Sequence, residues 1–313
     1  MGQNDRLVQE VRRAKLIATQ SEFGAALSGA ALFMCSKPMP GFICITCGTQ
    51  FALSKTEPER CPICDEDRQY VPPAGQAWTT HDALTRSHFN CFREHEKNLI
   101  GIGTMPMFAI GQRALLLATD RGNVLWDCIS LLDEATIAIV KALGGLIGIA
   151  ISHPHYYASM AEWARAFDAP IHLHTGDRQW VMRPDPAIKF WEGDTLPLAN
   201  GVTLIRCGGH FAGGTVLHWA QGAAGRGALL SGDIVQVLPN RNFVSFMRSY
   251  PNFFPLSAPA VERIGALLEP YPFDIVYGAW FDRIVPHDGK AIVQNSIARY
   301  VAAIRGDGSA ELK

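Results

Sequence analysis

Two histidines separated by one proline, His153 and His155, follow a short apolar run that ends at Ser152. The run has the length and composition of a buried strand. In an extended segment, residues two apart point to the same side, so both imidazoles can converge on one ion. A solvated His-Pro-His turn has the same sequence, so the pair predicts a metal site only if partners elsewhere converge with it.

Two candidate partners stand at the ends of later predicted strands. His210 lies in the glycine-rich segment 207–215, and Asp233 ends a Ser-Gly-Asp tripeptide that follows an apolar run. Glycines beside both residues let the backbone turn sharply, which allows the two side chains to reach a shared point.

A second group with metal-ligand spacing consists of two Cys-x-x-Cys pairs, which contain Cys44, Cys47, Cys61 and Cys64. Such knuckles present four thiolates tetrahedrally to one ion, as in a zinc ribbon or a rubredoxin-like module. With four thiolates no coordination place stays open, so the ion is expected to stabilise the fold and not to catalyse. Zinc is the prediction, and iron with electron transfer is the alternative.

Around these groups the chain divides into three predicted parts. Residues 1–37 form an N-terminal helix and extension, residues 38–75 form the zinc-ribbon module, and residues 76–313 form the larger domain. In the larger domain strands alternate with helices, which predicts an α/β arrangement with the motif loops at one edge of a sheet.

The composition limits the partners. The formal net charge is −1 and no lysine or arginine cluster occurs, so a nucleic-acid partner is not expected and a small-molecule substrate is. The sequence has no long unbroken hydrophobic run, so a membrane span is not expected. Cysteine usage favours a reducing, cytoplasmic location over a disulfide framework. The N-terminal helix can pack on the body or on a second subunit, so a homodimer is possible.

The order of these motifs resembles the metallo-β-lactamase fold. An apolar hairpin ending at Asp127, a helix, a strand into His-x-His, a Gly-His before a glycine turn, a strand into Gly-Asp and a late strand into Tyr-Gly follow one another from residue 100 onward. The resemblance implies an αββα sandwich with the metal at one edge, formed by residues 76–313. The four-cysteine ribbon is an addition that many members of the superfamily lack.

Carried over by position, the resemblance makes His153 and His155 the first two metal ligands, His210 the third, and Asp233 the acidic ligand that bridges where two metals bind. A zinc ion, or alternatively Fe²⁺, is the implied occupant.

The sequence departs from the family at the second metal. The aspartate and histidine that usually follow the second ligand are Tyr157 and Ala158 here, and Ala279 and Trp280 stand where a late histidine is common. One carboxylate cannot hold a second zinc ion firmly, so a single ion is predicted.

The main hypothesis is a mononuclear metal-dependent hydrolase that acts through a metal-activated water, with Asp233 and Tyr157 as catalytic residues. The Tyr157 phenol would donate a hydrogen bond to a developing oxyanion; alternatively, its ring only fills the vacated second site. A mononuclear iron dioxygenase of the persulfide dioxygenase type, using His153, His210 and Asp233, is a second hypothesis. A non-catalytic ligand-binding protein is the third.

The substrate is predicted to be small and apolar or aromatic if the aromatic segment after Asp233 lines the cleft. The alternative is that these side chains form a core layer or a dimer contact. The residues concerned are Phe243, Phe246, Met247, Tyr250, Phe253, Phe254, Trp280 and Phe281.

Overall fold

A computed structural model describes residues 39–307 of the 313-residue chain. The predicted N-terminal helix and the rest of residues 1–37 lie outside the described residues. The boundaries of the three predicted parts stay a prediction. The homodimer and the cytoplasmic location stay predictions as well.

The four-cysteine segment is a small sheet with two short helices. Its strands are β1 (Gly41–Cys44), β2 (Gln50–Leu53) and β3 (Trp78–Thr80), and its helices are α1 (Pro62–Asp65) and α2 (His81–Leu84). Strand β1 lies in the centre and pairs antiparallel with both neighbours. Strand β3 follows the Pro-Pro-Ala-Gly stretch, so the chain returns to the module after that stretch.

Seven strands form the first large sheet: β4 (Phe89–Glu96), β5 (Leu99–Met105), β6 (Arg113–Thr119), β7 (Gly122–Trp126), β8 (Gly148–Ala150), β9 (Ile171–His174) and β10 (Ile188–Trp191). They lie side by side in chain order, with antiparallel pairs up to β7 and parallel pairs beyond it. Two helices, α3 (Glu134–Ala142) and α4 (Met160–Phe167), connect the parallel strands.

Six strands form the second large sheet: β11 (Thr195–Ala199), β12 (Val202–Arg206), β13 (Thr215–Trp219), β14 (Ala228–Gly232), β19 (Ile275–Gly278) and β20 (Ile284–Val285). Between β13 and β14 lies the short helix α5 (Gly222–Gly225), and α6 (Ala258–Leu268) and α7 (Gly289–Arg305) complete the second half. The segment between β14 and α6 contains the small strands β15 (Gln236–Val237), β16 (Val244–Ser245), β17 (Met247–Ser249) and β18 (Phe254–Pro255).

Three apolar layers show how the sheets and helices stack. Along β6, Leu115 and Leu117 join the layer between the two sheets, whereas Leu116 joins the layer beneath α4. This alternation follows from the two-residue period of a strand, which gives each sheet two apolar faces. On the far side, Val261 and Val293 of α6 and α7 belong to the third layer, with residues of the second sheet. The predicted αββα sandwich is confirmed.

Among the helices within residues 39–307, none is both long and apolar enough to cross a membrane.

Candidate metal centre

The predicted histidine and aspartate ligands come from loops at the ends of strands in both large sheets. His153 and His155 follow β8 of the first sheet, His210 lies in the loop from β12 to β13, and Asp233 follows β14 of the second sheet. The four side chains come together in one group, within 4.8 Å between ligand atoms. The site therefore joins the two sheets at one edge of the sandwich.

Backbone contacts through Ser152 hold these loops together. The Ser152 N–H donates to Oδ1 of Asp127 at 2.8 Å, and the Ser152 carbonyl accepts from the N–H of Thr215 at 2.9 Å. Gly232 lies so close that a Cβ there would be 2.8 Å from the Ser152 Oγ, and its φ is +55°. Only glycine fits both the contact and this backbone conformation without strain, which explains the residue before Asp233.

The two neighbouring histidines converge by a route that differs from the predicted one. His153 is extended, with φ −170° and ψ 172°, but Pro154–Tyr156 forms a turn of 3-10 helix that includes His155. The expectation that both histidines belong to one extended segment is therefore wrong. A 3-10 turn rotates each residue by about 120° and not by the 180° of a strand, so it also redirects every later side chain.

The ligand atoms of the four side chains lie close together. His210 Nε2 lies 3.2 Å from His155 Nδ1, and His153 Nε2 lies 3.2 Å from Asp233 Oδ1. Neither His153 Nε2 nor Asp233 Oδ1 has a hydrogen-bond partner, although both are buried. Such unpaired buried acceptors are costly unless a cation lies between them.

The protonation states suit a cation site. Burial, followed by the neighbouring histidines, holds the pKa of His153 well below its ordinary value. Burial also lowers the pKa of His210 to about 4, so both rings are neutral at neutral pH. The contact of His153 with Asp233 is therefore not an ion pair. Neutral imidazoles offer the lone pairs that a metal requires.

Hydrogen bonds behind the rings fix their orientation. His210 Nδ1 donates to the Met247 carbonyl at 3.1 Å, which leaves Nε2 unprotonated and turned towards the other ligands. His153 Nδ1 lies 2.9 Å from the Ser152 hydroxyl. Partners of this kind set the tautomer and direction of ligating histidines in metal sites.

Two adjacent tyrosines are placed differently. The Tyr156 ring is 4.4 Å from that of His153, and its buried hydroxyl has no partner. Burial first and the Asp233 carboxylate second raise the pKa of Tyr156 well above its ordinary value, so the phenol stays protonated. Tyr157 instead lines a separate cavity of about 10 Å³ with Gln50. Sequence reasoning missed Tyr156, because the 3-10 turn decides which of the two rings reaches the site.

The positions that differ from the family at the second metal have other contacts. The Ala158 carbonyl accepts from the N–H of Gln50 at 2.9 Å. Trp280 donates its Nε1–H to the Ile110 carbonyl at 3.1 Å and lines the cavity described next.

A cavity of about 370 Å³ opens beside the ligands and is bordered by His155, His210 and Asp233. Of the aromatic residues predicted to line a cleft, Tyr250 and Trp280 border it. Phe246 is fully buried in the core, and Phe253 is 84% exposed, so the aromatic segment as a whole is not a cleft wall.

The remaining lining comes partly from the cysteine module, which supplies Thr46, Arg68, Gln69 and Tyr70. Sequence reasoning missed these residues, because nothing in the pattern of a zinc ribbon indicates what its loops pack against.

The four cysteines also form one buried group. Cys44 Sγ lies 3.7 Å from Cys64 Sγ, and the same distance separates Cys47 Sγ from Cys61 Sγ. None of the four takes part in a disulfide. Four sulfurs about 2.3 Å from a central zinc ion lie about 3.8 Å apart in a tetrahedron, so the group has the dimensions of a zinc site.

No protein-family model matches the sequence. The chain is 47% identical over 271 residues to "Uncharacterized protein YmaE" of Bacillus subtilis (strain 168), and the match covers 86% of this chain and 98% of that protein.

Solved metallo-β-lactamase structures share the fold. VMB-1 aligns with a TM-score of 0.52 at 13% identity, over 68% of this chain and 97% of that one. The DIM-1 metallo-β-lactamase aligns with a TM-score of 0.52 at 15% identity, over 68% and 98%. The chain thus has the metallo-β-lactamase fold with an added four-cysteine module, and it belongs to the same family as YmaE.

Proposed function

We propose that this protein is a hydrolase that uses one metal ion on His153, His155, His210 and Asp233. The observation that carries the proposal is the convergence of buried, unpartnered donor atoms, among them His153 Nε2 and Asp233 Oδ1, beside a cavity. Unlike the four cysteines, three of these ligands border a cavity, so a water molecule could reach the ion as a further ligand. Zinc would lower the pKa of that water towards about 7 and polarise a substrate oxygen.

The protein's own groups hold and orient the reacting parts. The Ser152 hydroxyl and the Met247 carbonyl keep the His153 and His210 rings directed at the site. The protonated Tyr156 phenol is suited to donate a hydrogen bond to the Asp233 carboxylate. This contact would stabilise the carboxylate as a ligand and leave the cavity side of the site for substrate.

A single ion is proposed because Tyr157 and Ala158 stand where the family's second-site ligands are common. Within residues 39–307, the only groups of ligands able to hold a metal are the four cysteines and the His/Asp group. The catalytic role predicted for Tyr157 stays a prediction, and its burial beside Gln50 favours the alternative that it fills space.

The substrate proposed here is a small molecule with an apolar or aromatic part. Ile110, Tyr250, Pro251 and Trp280 give the cavity an apolar lining. A ring or short aliphatic group of the substrate would bury its surface against these side chains.

Turnover measurements test the proposal. Zinc-loaded protein is assayed with a panel of lactones and thioesters, and His153→Ala is assayed in parallel. Hydrolysis by the wild type that is lost in the variant is expected. Equal rates in the two proteins would contradict the role of the site.

The same preparations address the alternatives. Iron at the His/Asp ligands, oxygen consumption and no hydrolysis would favour the dioxygenase. Tight binding of a ligand without turnover of any panel member would favour a binding protein.

A further inference from the structure

The cysteine module supplies part of the wall of the cavity beside the His/Asp ligands. Arg68, Gln69 and Tyr70 follow the last two cysteines and border the same cavity as His155 and His210. Holding a zinc ion requires none of these three side chains, because the cysteines are its ligands. Their placement therefore calls for an explanation at the other site.

The Arg68 guanidinium lies against the ring of Phe211, which in turn contacts two of the histidines. Its Cζ is 4.3 Å from the centre of the Phe211 ring, and that ring is 4.9 Å from His155 and 5.0 Å from His210. The Arg68 side chain is only 14% exposed. A positive charge shielded from bulk water in this way acts on a neighbouring anion with little screening.

The hydrogen-bonding capacity of Arg68 is only partly used. Its Nη2 lies 3.4 Å from Oε1 of Glu66, an oxygen that also lies 3.2 Å from Nη2 of Arg248. Its Nε is buried and has no partner. A guanidinium N–H left unpaired in a buried position is unfavourable, so an acceptor supplied by a ligand would be stabilised there.

Two amide oxygens of the cavity wall are unpaired as well, and as acceptors they suit an N–H or O–H group of a ligand and not its carboxylate. Gln69 Oε1 and Gln236 Oε1 are buried without hydrogen-bond partners, and both residues border the cavity. One amide comes from the cysteine module and the other from strand β15, which follows Asp233. The polar part of the cavity is thus formed by both regions of the chain.

Contacts with the loop after Asp233 hold the Arg68 segment in place. Asn252 Nδ2 donates to the carbonyls of Asp67 and Gln69 at 2.8 and 3.0 Å. Arg248 pairs with Asp67 at 2.9 Å. A segment fixed in this way loses little conformational entropy when a ligand binds, which favours a preformed subsite.

We propose that Arg68 binds a carboxylate group of the substrate. The planar guanidinium is suited to two parallel hydrogen bonds with a carboxylate. The inference rests on the proposed function and narrows its substrate class to small carboxylates, with the reacting bond at the metal ligands and the apolar part against Tyr250 and Trp280. The cysteine module then has a second role, as the part of the protein that selects the substrate.

A series of dicarboxylic acid monohydroxamates, from malonic to adipic, tests this assignment against the matching terminal amides. The hydroxamate group binds the metal in both members of each pair, and only one member carries the carboxylate. Affinities are measured by calorimetry on the zinc-loaded full chain. The variants are Arg68→Gln and, as a matched control, Arg60→Gln, which removes a cation from an exposed position of the same module.

For the best-fitting chain length, the wild type and Arg60→Gln should bind the carboxylate about 10- to 100-fold more tightly than the amide. Arg68→Gln should lose this preference and keep its affinity for the amide, which shows that the site is still folded. Equal affinities in the wild type, or a preference that survives in Arg68→Gln, would overturn the subsite alone. Binding of neither compound by the wild type would overturn the subsite together with the proposed metal site.

Discussion

The two clusters of metal ligands are similarly buried and differ in what surrounds them. The four cysteines are at most 1% exposed, and the three histidines with Asp233 are at most 5% exposed. Apolar side chains pack around the thiolates, whereas a cavity of about 370 Å³ borders the imidazoles. The two sites therefore differ in whether a substrate can reach the ligands and not in how deeply the ligands are buried. The cysteine site can only stabilise the backbone, whereas the His/Asp site has room for a substrate.

The two clusters are nevertheless connected. The segment 66–70 begins one residue after the cysteine helix α1 and ends in the wall of the cavity, where Arg248 and Asn252 hold it. Arg248 directly follows Met247, whose carbonyl orients His210. Loss of the ion from the cysteines is expected to unfold segment 66–70 and so to change the cavity beside the His/Asp site. Loss of the ion from the His/Asp site leaves the four cysteine ligands in place, so it is not expected to unfold the cysteine module.

The largest effect is expected from Cys47→Ser. Loss of the zinc ion should unfold the module locally, because in isolated zinc modules the binding free energy of about 10–16 kcal/mol is also folding free energy. We expect one metal ion fewer per chain, rapid protease cleavage within residues 45–76 and lower turnover, since Arg68 leaves the cavity wall. Cys91→Ser, at a free cysteine outside the cluster, should leave all three unchanged. A protease-resistant Cys47→Ser protein would contradict the claim that the cysteine site, unlike the His/Asp site, stabilises the local fold.

Asp233→Asn should have the opposite pattern. Turnover should fall at least about 1000-fold, which corresponds to about 4 kcal/mol of transition-state stabilisation. The module should stay protease-resistant and keep its ion, since the four cysteine ligands form a separate group that this substitution leaves unchanged. A cleaved module in this variant would contradict the one-way dependence.

The adjacent tyrosines allow a matched pair of variants. Tyr156→Phe should lower turnover about 10- to 100-fold, because it removes the phenol that we propose donates a charge-assisted hydrogen bond of about 1.5–3 kcal/mol to Asp233. Tyr157→Phe should change turnover less than about twofold, because that residue lines a different cavity. Initial rates of both variants under one set of conditions provide the measurement. The reverse order of effects would restore the catalytic role predicted for Tyr157.

The smallest effect is expected from Ser152→Ala. Removing the hydroxyl beside His153 Nδ1 should weaken metal binding at the His/Asp site about 10-fold, as for other groups that orient ligating histidines. Ser159→Ala removes an equally buried hydroxyl that donates to the Ile129 and Ser130 carbonyls and should leave metal affinity unchanged. Competition with a chelator of known affinity measures both, and equal losses would mean that Ser152 acts only through packing.

The sequence predicts those parts of the fold that depend on local pattern. The strand before His153 and the hairpin before Asp127 follow from apolar periodicity and turn residues, and the structure has them. The identity of the cavity lining depends on contacts between distant segments, such as Arg68 with Phe211, which periodicity does not encode. Tyr156 was missed for a local reason, because a proline-initiated 3-10 turn and an extended segment have similar sequences.

Metal content of the purified protein tests the central claim most directly. We expect two ions per chain in the wild type, of which one is lost in His153→Ala and the other in Cys47→Ser. Elemental analysis of all three proteins at known concentration measures the number of metal ions per chain. Three ions per chain in the wild type, or two in His153→Ala, would contradict a single ion at the His/Asp site.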